Sequence, residues 1–464
     1  MFRKTFKSFF PKWIRLNRKR SAGVCHPVDP NDPGTKISLL PNGVRIATEQ
    51  TQSPLACVSL FIEAGPRFET PENNGASHFL EHMAFCGFKS MNQCEIEHNL
   101  LQMGAKINAE TTKEIQRFVA ICPSENAHEM VAFLCRIITD LDLNDSSIET
   151  EKHNMCYELV DSDNDPKAVM FEYLHQTAFQ GTPLAQSVIG PSKNIQNFDS
   201  QLLSSFMTDH YQPYKVCFAT SGNVDHKEVV RIAETMCGKM VGDPTKQFGR
   251  GPCRFTGSQI MYRDDSMPCA HVAIGFEVPG YGHEDYLKLL VMGCMMGAWD
   301  KSQGGGNSNV PVLACAAASG LCESYEPFYF PYGDIGLWGV YYVGQPLVLE
   351  DMLNNIQDYW MKMCVSVHYT DLERAKNLAK LKVAKMFDGT VNSSYDIGMQ
   401  LMYFCGRKPL ISQYELLSNI KPDSIREAAD KYLYDRCPAV ACVGPTEGMP
   451  DYTKIRAGQY WLRY

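Results

Sequence analysis

The sequence lacks two features that would place it in other protein classes: a long apolar run and a paired cysteine motif. No run in the 464 residues approaches the ~18 to 20 apolar residues that cross a bilayer. The longest candidate, Leu289 to Trp299, contains two glycines and is followed by Asp300. The 18 cysteines are scattered singly and no C-x-x-C occurs, which argues against a zinc ribbon or a disulfide scaffold. We therefore expect no membrane-spanning helix, and reduced, mostly buried thiols in a reducing compartment.

Acidic residues are also absent before Asp29. An acid-free, basic and amphipathic start is typical of mitochondrial transit peptides, so we predict one at residues 1–28. A basic arm for a membrane surface or nucleic acid is the alternative. Without its eight basic residues the formal charge changes from 44 minus 52, or -8, to 36 minus 52, or -16, and such an acidic body disfavours nucleic acid and favours basic partners. The eight basic residues are Arg3, Lys4, Lys7, Lys12, Arg15, Arg18, Lys19 and Arg20.

An internal repeat indicates a duplicated chain. The alternating stretch from Ala56 to Glu63 recurs from Ala270 to Glu277 at an offset of 214, and Phe218 to Gly222 is echoed by Val440 to Gly444. The composition, 44% hydrophobic and 21% charged, is that of ordinary globular domains. We therefore predict two copies of one α+β unit.

The boundary between the copies is predicted from composition. Glycine, proline and basic residues cluster around residues 241–254, which is typical of a linker. This places an N-terminal domain at residues 36–240 and a C-terminal homologous domain at residues 255–464.

The stretch from Asn73 to Cys86 carries an H-x-x-E-H motif in a helical pattern. His78 and His82 lie one turn apart, with Glu81 between them in angle, so both imidazoles can reach one ion. Two hydrogen-bonded core histidines are the alternative, but the full triplet favours a metal site. The opposite face is predicted to be buried and comprises Ala76, Phe79, Leu80, Met83 and Ala84.

A catalytic zinc site needs a third protein ligand, which can be a carboxylate, a cysteine or a histidine. A helix predicted to begin with a capping box at Ser146 to Glu149 presents Glu151 and Glu158 two turns apart on one face. A solvated acidic face explains these two residues equally well, so the residues alone leave the third ligand open.

The second copy has no such motif. At the offset of 214 the triplet falls on Met292, Met295 and Met296, so at most one metal ion per chain is expected.

The motif resembles that of the inverzincins, the pitrilysin-type peptidases. Within that family the sequence is most similar to two branches, the β subunits of mitochondrial processing peptidase and the first core subunits of ubiquinol:cytochrome c reductase (complex III). The resemblance runs from about residue 36 to the end. The stretches that carry it are NNGASHFLEHMAF, MGAKINAET, FEYLHQTAFQGTPLAQSVIGPSKNI, CRFTGSQI, DIGLWG and CPAVACVGPTEGMPDYTKIRAGQYWLRY.

The resemblance implies a fold and a site. The fold is α+β, with two homologous domains that are each a mainly antiparallel sheet packed with helices. One Zn²⁺ per chain would be held by His78, His82 and Glu158, with Glu151 as the supporting acidic residue and Glu81 as the general base.

The resemblance also implies substrate contacts. Asn108 and Ala109 match an edge segment that holds a peptide as an added strand. Glu172 matches an acidic residue that reads presequence arginines, and Tyr332 matches a residue that steadies the scissile carbonyl. The sequence departs from the family pattern around the site at Cys86, Glu110, Lys113 and Ala168.

Two functions follow from the resemblance. The first is a zinc metalloendopeptidase subunit of the mitochondrial matrix that removes basic N-terminal presequences and works with a metal-free α-type chain. The second is a core subunit on the matrix face of the inner membrane, structural or bifunctional, paired with a core subunit 2-type chain in complex III. A free-standing peptide scavenger is a third alternative.

Overall fold

The structure is a computed structural model that describes residues 34–243, 249–303 and 311–460. The predicted transit peptide, residues 1–28, and residues 244–248 of the predicted linker lie outside the described residues. Among the described residues, no helix has the length and apolar character needed to cross a membrane.

The strands form two large sheets and a short hairpin. In chain order they are β1 (Thr35–Leu39), β2 (Arg45–Gln50), β3 (Leu55–Ile62), β4 (Gly87–Phe88), β5 (Met91–Asn92), β6 (Lys106–Thr111), β7 (Gln116–Pro123), β8 (Val216–Gly222), β9 (Gln259–Arg263), β10 (Ala270–Pro279), β11 (Trp299–Asp300), β12 (Ser324–Pro331), β13 (Ile335–Gly344) and β14 (Ala439–Gly444).

The α-helices lie between and after these strands. They are α1 (Ala76–Cys86), α2 (Gln93–Met103), α3 (Ala127–Thr139), α4 (Asp145–Asp163), α5 (Pro166–Ala178), α6 (Ser192–Asn197), α7 (Ser200–His210), α8 (His226–Cys237), α9 (Tyr286–Met296), α10 (Pro311–Ala316), α11 (Leu349–Val365), α12 (Tyr369–Lys385), α13 (Gly389–Phe404), α14 (Leu410–Ser418), α15 (Pro422–Tyr432) and α16 (Tyr452–Ala457).

The two sheets share an arrangement of five strands. The first sheet has the strand order β1-β2-β8-β3-β7-β6, and the second, listed from the opposite edge, has β11-β12-β13-β10-β14-β9. In each, one pair is parallel, β2 with β8 and β9 with β14, and the other pairs are antiparallel. Read from the parallel pair, β2-β8-β3-β7-β6 corresponds to β9-β14-β10-β13-β12, so the strands of the predicted repeat, β3 and β10, are equivalent. The remaining strands, β1 and β11, lie at opposite edges of this arrangement. The predicted α+β fold of two homologous, mainly antiparallel halves is confirmed.

The chain packs into two compact units built from discontinuous segments. The first comprises the described residues up to His153, Val188–Arg250 and Met386–Pro409, and the second comprises Asn154–Ser187, Gly251–Lys385 and the described residues from Leu410 onward. The division falls inside α4, which is continuous across it. The linear boundaries predicted from the sequence, 36–240 and 255–464, describe the repeat and stay a prediction.

Each sheet is covered by a helix from the other half of the chain. Helix α13 packs on β2, β3 and β8 of the first sheet, although it follows that sheet in sequence by more than 150 residues. Helix α5 packs on β9, β10 and β14 of the second sheet, although it precedes them in sequence. The two halves of the chain therefore exchange one helix each.

The apolar face of α1 is buried as predicted. The side chains of Ala76, Phe79, Leu80, Met83 and Ala84 have no solvent-accessible surface. Phe79 packs edge-to-face on Phe198, with ring centroids 5.3 Å apart. This anchoring turns the polar face of the helix, which carries the H-x-x-E-H motif, away from the core.

Two details differ from the sequence prediction. Helix α4 begins at Asp145, and the side chain of Asn144 accepts a hydrogen bond from the backbone of Ser147 at 2.8 Å, so Asn144 rather than Ser146 caps the helix. The hairpin of β6 and β7 reverses after Thr112, whose N–H donates to the carbonyl of Ile115 at 2.8 Å. The sequence pattern from Ala105 to Ala120 predicts a hairpin built around Asn108-Ala109 and Thr111-Thr112, but Asn108 and Ala109 lie within β6 rather than at the reversal.

Candidate metal centre

The loop before α1 fixes the start of the helix. Gly75 has φ +101°, and a Cβ there would lie 2.4 Å from the carbonyl oxygen of Ile189, so only glycine fits. The buried carboxylate of Glu69 accepts hydrogen bonds from the backbone of Ser77 at 2.7 Å and of Gly75 at 2.8 Å. Burial raises the pKa of this carboxyl group. Its oxygens satisfy helix N–H groups that have no intrahelical partner.

The three motif side chains converge on one side of α1. The rings of His78 and His82 are 4.9 Å apart between centroids, with planes inclined at 78°. Glu81 Oε2 lies 3.4 Å from His78 Nδ1. His78 is buried, with 8% of its surface exposed, whereas Glu81 and His82 are half-buried.

Helix α4 brings Glu158 to the two histidines. One ligand atom each from His78, His82 and Glu158 lies within 4.8 Å of the others. Two imidazole nitrogens and a carboxylate oxygen are the donor set of a catalytic zinc site, in which neighbouring donors are about 3.3 Å apart. The residues present therefore fit a zinc ion after small side-chain adjustments. Among the described residues, no second group of three such side chains comes as close.

Glu151, which lies on α4 like Glu158, orients the ring of His82. Its Oε2 lies 3.2 Å from His82 Nδ1, which leaves His82 Nε2 as the nitrogen that can face an ion. The thiol of Cys86 lies 3.4 Å from Glu151 Oε1 and 3.5 Å from the carbonyl oxygen of His82. Burial, and then the nearby Glu151 charge, raises the pKa of this thiol to about 12. The thiol is therefore protonated at neutral pH.

A small cavity opens beside the motif. Its volume is about 220 Å³, and Glu81 and His82 form part of its wall. Thr111, on the edge strand β6, donates a hydrogen bond from Oγ1 to Glu81 Oε2 at 2.5 Å. The complete lining comprises Glu81, His82, Phe85, Cys86, Gln93, Ala109 and Glu151.

Three residues at the cavity were not predicted from the sequence: Thr111, Phe85 and Gln93. The position of Thr111 was predictable from the sequence, because residues two positions apart in a strand share one face, and Thr111 lies two positions after Ala109. Phe85 follows His82 by three positions on the same helix, which also brings it near the motif.

The backbone of β6 distinguishes Ala109 from Asn108. In an antiparallel pair, hydrogen-bonded and non-hydrogen-bonded residue pairs alternate. Because Thr112 donates to Ile115, Asn108 and Val119 form a hydrogen-bonded pair, so Asn108 directs its N–H and C=O toward β7. Ala109 and Thr111 direct theirs to the open side of the sheet, where β6 is the edge strand. Ala109 therefore offers backbone hydrogen bonds beside the cavity, and Asn108 offers only an exposed side chain on the opposite face.

The other two predicted substrate contacts lie in the second unit. Tyr332 is buried, and its hydroxyl group is 2.7 Å from His175 Nε2. Glu172 is half-buried on α5. Both substrate roles stay predictions.

The helix of the second copy carries no metal-ligating side chain at the positions matched to the motif. Met292, Met295 and Met296 lie on α9 and are buried. The expectation of at most one site per chain stays a prediction.

Comparisons with known proteins place the chain in a family. A family model described as Insulinase (Peptidase family M16) matches residues 45–192, and one described as Peptidase M16 inactive domain matches residues 197–379. The cytochrome b-c1 complex subunit 1 of Bos taurus is 38% identical over 457 residues, which cover 98% of this chain and 95% of that protein. The mitochondrial-processing peptidase subunit beta of Bos taurus is 37% identical over 448 residues, covering 96% and 91%.

A solved structure shares the fold. A chain in complex III2 from Candida albicans, with Inz-5 bound, superposes with a TM-score of 0.82 at 22% identity, covering 92% of this chain and 99% of that one. Full-length similarity at 36–38% identity to both kinds of mitochondrial protein decides the family, though not the branch. The chain belongs to peptidase family M16, and its close homologues are mitochondrial-processing peptidase β subunits and cytochrome b-c1 complex subunit 1 proteins.

Proposed function

We propose that this chain is a mitochondrial zinc metalloendopeptidase subunit of the processing-peptidase β type, which removes basic N-terminal presequences from imported precursors in the matrix. One observation carries the proposal: His78, His82 and Glu158 converge on one point beside Glu81. A chain that had lost the peptidase chemistry would have no need to keep all four side chains in this arrangement.

In this proposal His78, His82 and Glu158 hold one zinc ion. When bound, zinc supplies Lewis acidity, which lowers the pKa of a water molecule and polarises a carbonyl group. Glu151 keeps His82 in the tautomer that presents Nε2.

Glu81 is the proposed general base. Its Oε2 is held by the Thr111 hydroxyl and lies near His78, which leaves Oε1 to accept a proton from the attacking water. The same carboxyl group then delivers that proton to the leaving amine.

The substrate would bind as a strand added to β6. Ala109 and Thr111 direct backbone donors and acceptors outward from this edge, and such bonds do not depend on the side chains of the peptide. The acidic charge of the chain outside the first 28 residues favours basic peptides. Asn108, Glu172 and Tyr332 are further proposed contacts.

The partner in this proposal is a metal-free chain of the same fold, of the processing-peptidase α type. A core subunit 1 role in complex III, on the matrix face of the inner membrane with a core subunit 2-type partner, is the second candidate. It is favoured by the 38% identity to cytochrome b-c1 complex subunit 1 and by the departures from the family pattern at Cys86 and Glu110 beside the site.

Cleavage of a basic presequence peptide by the chain reconstituted with an α-type partner tests the proposal. We expect Glu81→Gln to retain zinc and to lower the cleavage rate at least ~100-fold, because only the base is removed. Undiminished turnover by this variant would refute the role of Glu81. Absence of cleavage by the wild-type pair, with purification only in a cytochrome-containing complex that releases no zinc, would favour the structural role instead.

A further inference from the structure

Cys86 closes a chain of contacts that leads to a proposed zinc ligand. It follows His82 by four positions, so the two side chains lie on one face of α1. Glu151, on helix α4, contacts both side chains. Its Oε2 lies 3.2 Å from His82 Nδ1, and its Oε1 lies 3.4 Å from Cys86 Sγ. The order of contacts is therefore thiol, carboxylate and imidazole.

The thiol has two acceptors within reach but only one proton. The carbonyl oxygen of His82 lies 3.5 Å from Sγ, slightly farther than Glu151 Oε1. A carboxylate is a stronger acceptor than a backbone carbonyl group that is already bonded within a helix. The S–H group is thus expected to point to Glu151.

This contact restricts the rotation of the Glu151 carboxylate. The terminal torsion of a glutamate side chain is broad, so each contact that a carboxylate oxygen makes narrows the range of this torsion. A second contact at Oε1, from a residue on the same helix as His82, holds the carboxylate plane against the imidazole. Groups that orient a metal ligand in this way change metal affinity without touching the ion.

Cys86 does not belong to the ligand set itself. The side chains whose ligand atoms converge are His78, His82 and Glu158, and Sγ is not among them. An effect of Cys86 on the metal is therefore indirect, and the contact with Glu151 supplies a route to the His82 ring.

We propose that Cys86 is a positioning residue whose thiol holds Glu151 against His82 and thereby strengthens zinc binding. The proposal rests on the zinc site proposed above. It predicts that any side chain with a hydrogen-bond donor of similar size can replace the thiol, and that one without a donor cannot.

The test is the zinc dissociation constant of the purified complex with its partner chain, measured by competition with a metallochromic chelator. We expect Cys86→Ala to weaken zinc binding roughly three- to tenfold, because a thiol is a weak donor acting at one remove from the ion. Cys86→Ser restores a donor and is expected to bind zinc within about twofold of wild type. Cys94→Ala, at an exposed thiol on α2, is the matched control and should leave zinc binding unchanged.

The outcomes distinguish a failure of the positioning role of Cys86 from a failure of the proposed zinc site. If Cys86→Ala binds zinc as tightly as wild type, or if Cys86→Ser is as weak as Cys86→Ala, the positioning role is wrong while the zinc site stands. If the wild-type complex takes up no zinc, the proposed function fails. Equal unfolding temperatures for the metal-free Ala and Ser variants are expected, and a drop confined to the Ala variant would assign the effect to packing and overturn the inference.

Discussion

Each histidine of the motif has a carboxylate neighbour, and the two carboxylates differ in what else they contact. Glu81 lies beside His78 and receives a hydrogen bond from Thr111 on the edge strand. Glu151 lies beside His82 and belongs to a different helix, α4. Both carboxylates line the cavity, but Glu81 is held by the edge strand β6, whereas Glu151 is held against the His82 ring.

At this scale the sequence was informative about what is local. The spacing of His78, Glu81 and His82 follows from the helical repeat, and the structure brings them together as expected. Thr111 and Cys86 act on those residues through contacts with Glu81 and Glu151 that span 30 and 65 positions, which no local pattern reveals. Glu158 was chosen over other ligands only through the family resemblance.

The third zinc ligand is open to a direct test. We expect Glu158→Gln to lower zinc occupancy by at least tenfold at limiting zinc, because the amide oxygen that replaces the carboxylate carries no charge. Metal analysis after dialysis checks this. Glu149→Gln, which removes an exposed carboxylate from the first turns of the same helix, is the control and should retain zinc. Full occupancy in Glu158→Gln would move the third ligand elsewhere.

Among the elements, the two equivalent helices α1 and α9 are fixed at their N-terminal ends by buried carboxylates. Glu69 binds the backbone at the start of α1. Asp285, at the N-terminal end of α9, accepts hydrogen bonds from Lys288 at 2.5 Å, from Tyr432 at 2.8 Å and from Lys431 at 3.1 Å. The second carboxylate ties α9 to α15.

The Asp285 contacts predict a pH-dependent contribution to stability. Burial raises the pKa of this carboxyl group, but the hydrogen bonds from Lys288, Tyr432 and Lys431 outweigh it and lower the pKa to about 2. The folded pKa is below the ordinary value of about 3.9, so the stabilisation is present above that value and is lost as the pH falls toward 2. We expect Asp285→Asn to reduce the free energy of unfolding by about 1–3 kcal/mol at pH 7.

Urea unfolding between pH 3 and pH 7 measures this effect. The difference between wild type and Asp285→Asn should be constant from about pH 5 to 7 and should shrink below about pH 4. Asp423→Asn, at an exposed carboxylate on α15, is the control and should change the free energy by less than about 0.5 kcal/mol. A difference between wild type and Asp285→Asn that does not depend on pH would rule out the charged contacts as its source.

The periodicity of the sequence predicted the type and approximate position of most elements near the site. It did not predict where they end, because more than one nearby side chain can cap a helix. Helix α4 starts two residues earlier than predicted because Asn144, rather than Ser146, caps it. The constant offset of 214 predicts that the counterpart of α1 starts near residue 290, but α9 starts at Tyr286. The loop between β10 and α9 has only six residues and is shorter than the loop between β3 and α1. A fixed offset cannot follow loops that differ in length.

For the whole molecule, the duplication was visible in the sequence but the exchange of helices was not. The repeat appears because β3 and β10 occupy equivalent central positions and keep similar alternation. Nothing in the sequences of helices α5 and α13 indicates which sheet each of them covers. The linear division at residues 241–254 stays a prediction for the repeat, and the two compact units are built from discontinuous segments.

The exchange predicts a crossed pattern of destabilisation. Ile397 on α13 and Leu174 on α5 are both fully buried. We expect Ile397→Ala to reduce hydrogen-exchange protection in β3 and β8, and Leu174→Ala to reduce it in β10 and β14, each with a local loss of about 2–5 kcal/mol. Hydrogen exchange followed by mass spectrometry on the full chain reads both sheets at once. Loss of protection in the sheet of the same half of the sequence would contradict the exchange.

The central claim is that one intact zinc site persists in this duplicated chain, and metal analysis of the protein purified in its native assembly tests it most directly. We predict about one zinc per chain, released on denaturation and absent from a His78→Ala variant purified in the same way. A native assembly that contains this chain but no zinc would contradict the account.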